Sequence, residues 1–376
     1  MKGVEPVITE YLYRKASAAR IPLSGSFELT PVCNMSCKMC YVRMTRQQQE
    51  SIAPLHTAEE WLALASEAQK HGLLYVLLTG GEPFLHPQFR EILSGMHQMG
   101  FVISINSNGT MIDETCVQWM KESPPNRVNI TLYGASNETY ARLCGNPQGF
   151  TQATRAIDLL TEAGISVKIN CSITPHNAHD FEKIIAYAHD RKLQVQACSY
   201  MFPPIRRDPD MVGHNDRLSS EEAAYYAAKI EASSLGEDEF LARPDALLPP
   251  MAGDLEENCS ESGDIMRCRA GRCSFWVTWE GKMLPCGMLP VQNQKSVFAD
   301  DFLDCWQDTV ASVEAIRLPA KCLSCELKDA CHSCAAMVIA ESGSYQKVPQ
   351  YRCEMAMAYP AARMRLKEEI LARKKC

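Results

Sequence analysis

The sequence lacks three features that would place it in a special class of protein. No run of about 18 apolar residues occurs in its 376 residues, which excludes an ordinary membrane-spanning helix. The first ten residues, MKGVEPVITE, contain no apolar stretch of the kind found in secretory signals, so we expect a cytoplasmic protein. Basic residues are not in excess, because 38 Lys and Arg stand against 45 Asp and Glu. The resulting net charge of −7 argues against a duplex nucleic-acid binder, and we expect neither a membrane nor a nucleic acid as partner.

Cysteine, by contrast, is abundant, with 18 residues in the chain. A chain of this length can build a sizeable core and does not need disulfide staples, so many cysteines in a cytosolic protein indicate metal or redox chemistry. Three of them fall within eight residues near the start, and eleven lie in the last third. The four isolated ones are interpreted as small buried apolar residues: Cys116, Cys144, Cys171 and Cys198.

Strand-like and helix-like segments alternate between about residues 26 and 200. The predicted strands are 27–30, 74–78, 101–105, 128–132, 166–173 and 194–199. The predicted helices between them are 57–71, 87–99, 113–121, 150–163 and 178–190. Such alternation predicts an α/β fold with a parallel sheet and right-handed crossovers. Ligands of such folds bind where the strands end.

Three cysteines follow the first predicted strand directly, with the spacing Cys33-x3-Cys37-x2-Cys40. Four-iron clusters are normally held by four thiolates, so a loop that supplies three leaves one iron open to another ligand. A zinc knuckle or a chance group of buried thiols would also fit the triad alone. The repeated βα pattern and a Gly-Gly-Glu-Pro sequence at the end of the second strand favour the iron–sulfur interpretation.

The sequence resembles the radical S-adenosylmethionine (SAM) superfamily in three motifs. These are CNMSCKMCY at 33–41, TGGEP at 79–83 and SNGT at 107–110. The resemblance implies a partial (βα)6 barrel of the TIM type. It also implies a [4Fe-4S] cluster whose open iron chelates the amino and carboxylate groups of SAM. One electron from that cluster would break SAM to a 5′-deoxyadenosyl radical, which abstracts hydrogen from the substrate.

The same resemblance assigns the residues that contact SAM. The backbone carbonyls of the glycine pair and the following carboxylate would accept hydrogen bonds from its ammonium group. Polar side chains at the ends of the third and fourth strands would bind the ribose, although Asn108-Gly109 can also be a simple turn. The implied cofactor-binding residues are Met39 (toward the adenine), Gly80, Gly81, Glu82, Pro83, Asn106, Ser107, Asn108 and Thr131.

The cysteines of the last third form closely spaced pairs, which are also typical of zinc ribbons. Together with the amino-terminal motifs they resemble the SPASM extension of radical SAM enzymes, which implies two auxiliary [4Fe-4S] clusters. The resemblance implies Cys268, Cys273, Cys286 and Cys334 for the first and Cys322, Cys325, Cys331 and Cys353 for the second. The spacing Cys331-x2-Cys334 is one residue shorter than the common pattern, so another cysteine could replace Cys334. Cys259, Cys305 and Cys376 receive no role.

These assignments divide the chain into five predicted parts. They are an amino-terminal extension (1–25), the barrel (26–218), a helix with a bridging segment (219–257), the auxiliary-cluster domain (258–360) and a charged terminal helix (361–376). Only about 25 residues precede the first strand, so we expect any leader-binding partner to be a separate chain. By family resemblance, the electron donor is flavodoxin or ferredoxin.

The favoured substrate is a ribosomally made peptide that receives a thioether or carbon–carbon crosslink. Arg206 and Arg207, after the last strand, are candidate contacts for a substrate carboxylate, or else part of a solvated turn. An enzyme of a small-molecule cofactor or haem pathway is the first alternative. A sulfatase-maturating enzyme is disfavoured, because Gly287 stands where those enzymes have a catalytic Asp. A non-catalytic iron–sulfur or zinc redox protein is the remaining alternative.

Overall fold

A computed structural model describes residues 7–243, 268–290, 295–327, 331 and 333–375. Within these residues eight strands form one sheet in the order β6-β5-β4-β3-β2-β1-β7-β8. Their bounds are Ser24–Glu28 (β1), Tyr75–Thr79 (β2), Val102–Ser107 (β3), Arg127–Thr131 (β4), Val167–Ser172 (β5), Gln194–Cys198 (β6), Ser274–Val277 (β7) and Met283–Leu284 (β8). The first six are parallel and follow chain order, which confirms the predicted α/β partial barrel.

Helices cover one face of this sheet and continue beyond it. Those up to the end of the barrel are Val7–Ala19 (α1), Arg46–Ile52 (α2), Ala58–Lys70 (α3), Phe89–Gln98 (α4), Glu114–Glu122 (α5), Asn137–Cys144 (α6), Gly149–Glu162 (α7) and Phe181–Asp190 (α8). The later ones are Ser220–Leu235 (α9), Glu237–Ala242 (α10), Phe302–Glu314 (α11), Ala320–Leu323 (α12), Ala335–Ser342 (α13) and Gln350–Lys375 (α14). No described helix is both long and apolar enough to cross a bilayer.

Alternation along the strands separates a helix-covered face from a concave inner face. Phe27 of β1 stacks on Trp61 of α3, and Phe275 of β7 packs edge-on against Trp306 of α11. Their neighbours Glu28 and Trp276 therefore face the inside, where the Trp276 Nε1 donates to Glu28 Oε2 over 2.9 Å. The inner face is the space in which a substrate can reach the strand ends.

The cysteine-rich part extends the barrel sheet instead of standing apart from it. Strand β7 pairs in parallel with β1, with Ser24 opposite Ser274, and β8 pairs antiparallel with β7. Because of this pairing, the loop that follows β8 and carries Cys286 begins close to the end of β1.

Helix α14 attaches the carboxyl terminus to α9 through a buried ionic network. Arg363, fully buried, donates from Nε to Glu231 Oε2 over 2.8 Å, and the Tyr359 hydroxyl donates to the same oxygen over 2.5 Å. The charged terminal helix predicted at 361–376 is thus the end of a 26-residue helix, Gln350–Lys375, that also carries Cys353. The predicted domain bounds remain predictions, and Cys259, Cys376 and residues 244–257 lie outside the described residues.

Candidate functional site

The loop with Cys33, Cys37 and Cys40 leaves β1 and is fastened to the end of α6. Ser36 N donates to Cys144 O over 2.8 Å, and Lys38 N donates to Leu143 O over 3.2 Å. The Cys37 thiol also bonds to the Cys144 thiol, and this bond is the main reason why the pKa of Cys37 is lowered. Cys144, predicted as a small buried apolar residue, is buried and also holds the Cys37 side chain in place.

The glycines of the TGGEP motif pack against the start of this loop. A Cβ at Gly80 would lie 2.4 Å from Thr30 O, and one at Gly81 would lie 2.5 Å from Val32 O. Gly80 also has a φ of +150°, a conformation that side chains disfavour. Gly81 N donates to Thr30 O over 2.7 Å. The glycines were predicted to let SAM approach, but in the structure their missing side chains let β2 approach the cysteine loop.

Glu82 is fully buried, and both of its carboxylate oxygens accept hydrogen bonds within the protein. Ser107 Oγ donates to Oε1 over 2.8 Å, and Asn108 N donates to Oε2 over 2.8 Å. Burial, opposed by these bonds, raises the pKa of Glu82 to about 7. The carboxylate thus joins the ends of β2 and β3, and Pro83 after it begins a buried 3-10 turn, Pro83–Leu85. These contacts give Glu82 a structural function.

The SNGT segment binds the cysteine loop from the other side. Asn108 Nδ2 donates to Asn34 Oδ1 over 2.9 Å and lies 3.7 Å from Cys33 Sγ. Thr110 N donates back to Asn108 Oδ1 over 2.9 Å, so the predicted turn is also present. Asn108 therefore both forms the turn and positions Cys33. Burial raises the pKa of Cys33 to about 12.

The remaining predicted SAM contacts lie around the same strand ends. Asn106 Oδ1 accepts a hydrogen bond from Asn129 Nδ2 over 2.8 Å, across the β3–β4 register. Thr131 ends β4 on the inner face and stands opposite Asn170 of β5. Met39 is half-buried and packs against the main core. These three positions surround the opening of the inner face next to the cysteine loop.

The two candidate substrate arginines differ in the structure. Arg206 Nη2 contacts Glu28 Oε2 at 3.1 Å, and its Nη1 donates to Gly287 O over 2.9 Å. Through these two contacts the Arg206 guanidinium links β1 to the Cys286 loop. Because it is already paired within the protein, its predicted role of binding a substrate carboxylate is not favoured. Arg207 is exposed. Gly287 itself packs on the indole of Trp276, 3.1 Å from where its Cβ would stand.

The four cysteines assigned to the first auxiliary cluster are connected through Cys268. Burial, together with the neighbouring Cys268 and Cys286 thiols, raises the pKa of Cys334 to about 12. Cys273 is completely buried beside Tyr13 of α1, and burial together with the nearby Cys268 thiol raises its pKa to about 11. The structure therefore groups Cys334 with this set, despite its short spacing from Cys331, and places Cys273 on the α1 side of Cys268.

All four cysteines assigned to the second auxiliary cluster lie near one another. Burial raises the pKa of Cys353, and the thiols of Cys331, Cys322 and Cys325 raise it further. Among the described residues, no group of three or more His, Cys, Asp or Glu side chains is close enough to hold a single metal ion. A zinc ion needs four ligands at about 2.0–2.3 Å, whereas an iron–sulfur cluster spans a wider set of thiols.

An arginine whose Nε is buried and has no partner among the described residues accompanies each of the three cysteine groups. Arg352 is 4% exposed and donates to Cys331 O, and its Nε and Nη1 have no partner among the described residues. Arg272, next to Cys273, and Arg43, whose N donates to Cys40 Sγ over 3.3 Å, also have an unpartnered buried Nε. An unpaired buried cation is costly, so an anionic group at each site fits these residues. Thiolate-ligated iron–sulfur clusters are such groups.

Sequence reasoning missed Cys144, Glu28 and the three arginines. The partners that give them a function are distant in sequence: Glu28 and Arg206 are 178 residues apart, and Cys144 lies 107 positions beyond Cys37. The only available signal was position, because Arg43 and Arg272 each lie within three residues of a predicted ligand.

Comparisons with known proteins agree with this geometry. The radical SAM superfamily model matches residues 27–188. A probable GTP 3′,8-cyclase of Saccharolobus solfataricus is 30% identical over 69% of this chain and 80% of its own. An AdoMet-dependent heme synthase of Methanosarcina barkeri is 24% identical over 87% and 95%. The subtilosin biosynthesis protein AlbA of Bacillus subtilis is 24% identical over 84% and 67%.

Solved structures share the fold over nearly the whole chain. Streptococcus suis SuiB bound to the precursor peptide SuiA superposes with a TM-score of 0.69 at 18% identity, covering 94% of this chain and 82% of SuiB. The protein anSMEcpe with bound AdoMet and a peptide gives 0.68 at 15% identity, covering 94% and 99%.

Proposed function

Because the chain belongs to the radical SAM superfamily, we propose that it cleaves SAM reductively at Cys33, Cys37 and Cys40 and modifies a peptide with the resulting radical. The observation that carries this proposal is the convergence of three motifs. The TGGEP backbone binds the segment just before Cys33, and Asn108 of SNGT reaches Cys33 itself. Three strand ends thus hold one three-cysteine loop at the opening of the barrel.

The residues present fit a four-iron cluster with one open iron. When bound, that cluster supplies the electron that splits SAM. The chain's own part is to hold the three thiols: Cys144 orients Cys37, Asn108 orients Cys33, and Arg43 N donates to Cys40 Sγ. Gly80 and Gly81 fix the strand beside the loop, and Thr131, Asn106 and Met39 surround the space in front of it.

We also propose two auxiliary clusters, in the cysteine groups that end with Cys334 and Cys353. Their support is the proximity of the thiols and the unpartnered guanidinium groups of Arg272 and Arg352. For the first group, Cys273, which lies on the α1 side of Cys268, is the proposed fourth ligand. A flavodoxin or ferredoxin is the proposed electron donor.

A peptide substrate is favoured by the relatives that act on or bind peptides. AlbA and the sporulation killing factor maturation protein SkfB are named for peptide maturation, and SuiB was solved with its precursor peptide. A leader-binding protein would be a further partner. Gly287 packs against Trp276, where an Asp side chain would force the indole to move, which supports the earlier argument against sulfatase maturation.

A second candidate is a haem-pathway reaction on a small molecule. The heme synthase from Methanosarcina barkeri matches 87% of this chain and 95% of its own length, a wider match than that of AlbA. This coverage is the observation that supports the haem-pathway candidate.

The test is release of 5′-deoxyadenosine by anaerobically reconstituted protein with dithionite and SAM. We expect release by the wild type and none by Cys37→Ala, while Cys116→Ala, a cysteine on α5 away from the loop, serves as the matched control. A zinc-containing preparation without iron, or release that survives Cys37→Ala, would refute the proposal. Mass spectrometry after co-expression with a small peptide encoded beside the gene would then separate the two substrate classes.

A further inference from the structure

The inner face of β3 to β6 is largely polar. At alternate positions it carries Ser104 and Asn106 on β3, Arg127, Asn129 and Thr131 on β4, Lys168 and Asn170 on β5, and Gln194 and Gln196 on β6. The intervening residues, such as Ile130 and Ile169, are fully buried under the helices. A barrel interior that only served packing would carry branched apolar side chains. This one is built to surround a polar ligand.

This polar inner face of β3 to β6 forms a chamber, and several of its polar atoms have no partner among the described residues. Asn129 is 5% exposed, and its Oδ1 accepts no hydrogen bond from a described residue. The same holds for Asn170 Oδ1 and Arg127 Nε. Buried polar atoms are normally satisfied, so three unsatisfied atoms on two neighbouring strands indicate that another molecule supplies the missing bonds.

Arg127 and Lys168 are two cations on neighbouring strands of this face, because Lys168 stands opposite Asn129, two residues along β4 from Arg127. Lys168 Nζ donates to the Gln196 amide oxygen over 2.6 Å, and no carboxylate of the described residues forms an ion pair with either cation. Burial and then the charge of Arg127 lower the pKa of Lys168 to about 8. An anion that binds between two such cations would gain from both charges.

We propose that Arg127 and Lys168 bind a carboxylate of the substrate peptide, a side chain or the terminus, on the inner face of the barrel. This inference rests on the proposed function. Arg127 begins β4 and Thr131 ends it, so the carboxylate lies about 13 Å from the strand ends where the radical forms. Gln194 and Gln196 are exposed on the edge strand β6, so an extended chain can enter from that side. An acidic residue about three or four positions from the modified one fits this separation.

The test measures how fast an acetylating reagent modifies Lys168 in the reconstituted protein, followed by mass spectrometry. The probe is a capped glycine peptide with one glutamate, and the comparison is its glutamine analogue. At about ten times its Kd the glutamate probe is expected to slow acetylation of Lys168 about tenfold, because protection follows one plus the ratio of ligand to Kd. The exposed Lys121 on α5 is the internal reference.

Arg127→Gln is expected to abolish the protection and Arg127→Lys to keep part of it, while Arg155→Gln on the outer surface keeps all of it. Equal protection by the glutamine analogue, or full protection in Arg127→Gln, overturns the proposal. If succinate protects Lys168 and the glutamate peptide does not, the proposal that a peptide supplies the carboxylate is overturned. The measurement needs no SAM, so absent 5′-deoxyadenosine release would refute the proposed function and leave this result standing.

Discussion

At the scale of single residues, Arg352 gives the sharpest prediction. Its guanidinium is buried beside Cys331 with two nitrogens unpaired, so a cluster in that group would be its counter-ion. A nearby positive charge favours the more negative, reduced state of a cluster. Arg352→Gln removes the charge and keeps a hydrogen-bonding amide. We expect the reduction potential of one cluster to fall by about 60 mV, which is a tenfold change for a one-electron couple.

The measurement is a redox titration monitored by electron paramagnetic resonance. Arg365→Gln is the matched control, because Arg365 lies on the same helix, α14, in an exposed pair with Glu369. Unchanged potentials for all clusters in Arg352→Gln would show that no cluster lies beside Arg352.

The residue scale is also where sequence reasoning reached its limit. The motifs identified Cys33, Glu82 and Asn108 as residues of one site, and the structure places all three together. The motifs could not show that Ser107 donates a hydrogen bond to Glu82, or that Arg206 pairs with Glu28. Both outcomes depend on contacts across the folded sheet, and a one-dimensional pattern does not encode which polar groups are already satisfied.

At the scale of elements, the glycine contact between β2 and the cysteine loop is the decisive packing feature. Gly80→Ala adds a methyl group 2.4 Å from Thr30 O at a φ of +150°. We expect a loss of about 2–4 kcal/mol in the free energy of unfolding and weaker iron retention, because the loop must move. Gly100→Ala is the control, since its φ is +84° but nothing lies within 4 Å of its Cβ.

Thermal unfolding and iron content per chain measure both effects. A Gly80→Ala protein that matches Gly100→Ala in both would show that the close approach is not required. Gly100→Ala itself is expected to cost about 1 kcal/mol from its backbone conformation alone.

Elements with strong local signals were predictable, and those that depend on tertiary contacts were not. Helix α3, Ala58–Lys70, lies within the predicted helix at 57–71, and Thr57 and Glu60 form a reciprocal capping box at its start. Helix α1 was missed, although it packs Tyr13 and Ala16 around Cys273. Strand β7 was also missed, because only its pairing with β1 identifies Ser274–Val277 as part of the barrel sheet.

At the scale of the whole molecule, the second cysteine group connects parts of the chain that are far apart in sequence. Cys322 lies on α12, whereas Cys353 lies on α14, whose later residues pack against α9. The three-cysteine loop is held instead by β2, β3 and α6. The two regions use separate contacts, so the loss of one should not abolish the other.

Replacing both Cys322 and Cys325 by Ala tests this separation. We expect iron to fall by about four atoms per chain, since a fully ligated cluster uses four thiolates, while 5′-deoxyadenosine is still released. Modified peptide should be lost, because a cluster without a free iron position serves best in electron transfer from the substrate. Cys305→Ala, a buried cysteine of α11 without an assigned role, is the control. Undiminished product in the double variant, with the iron lost, would show that the second group is structural and that the chemistry is completed within the barrel.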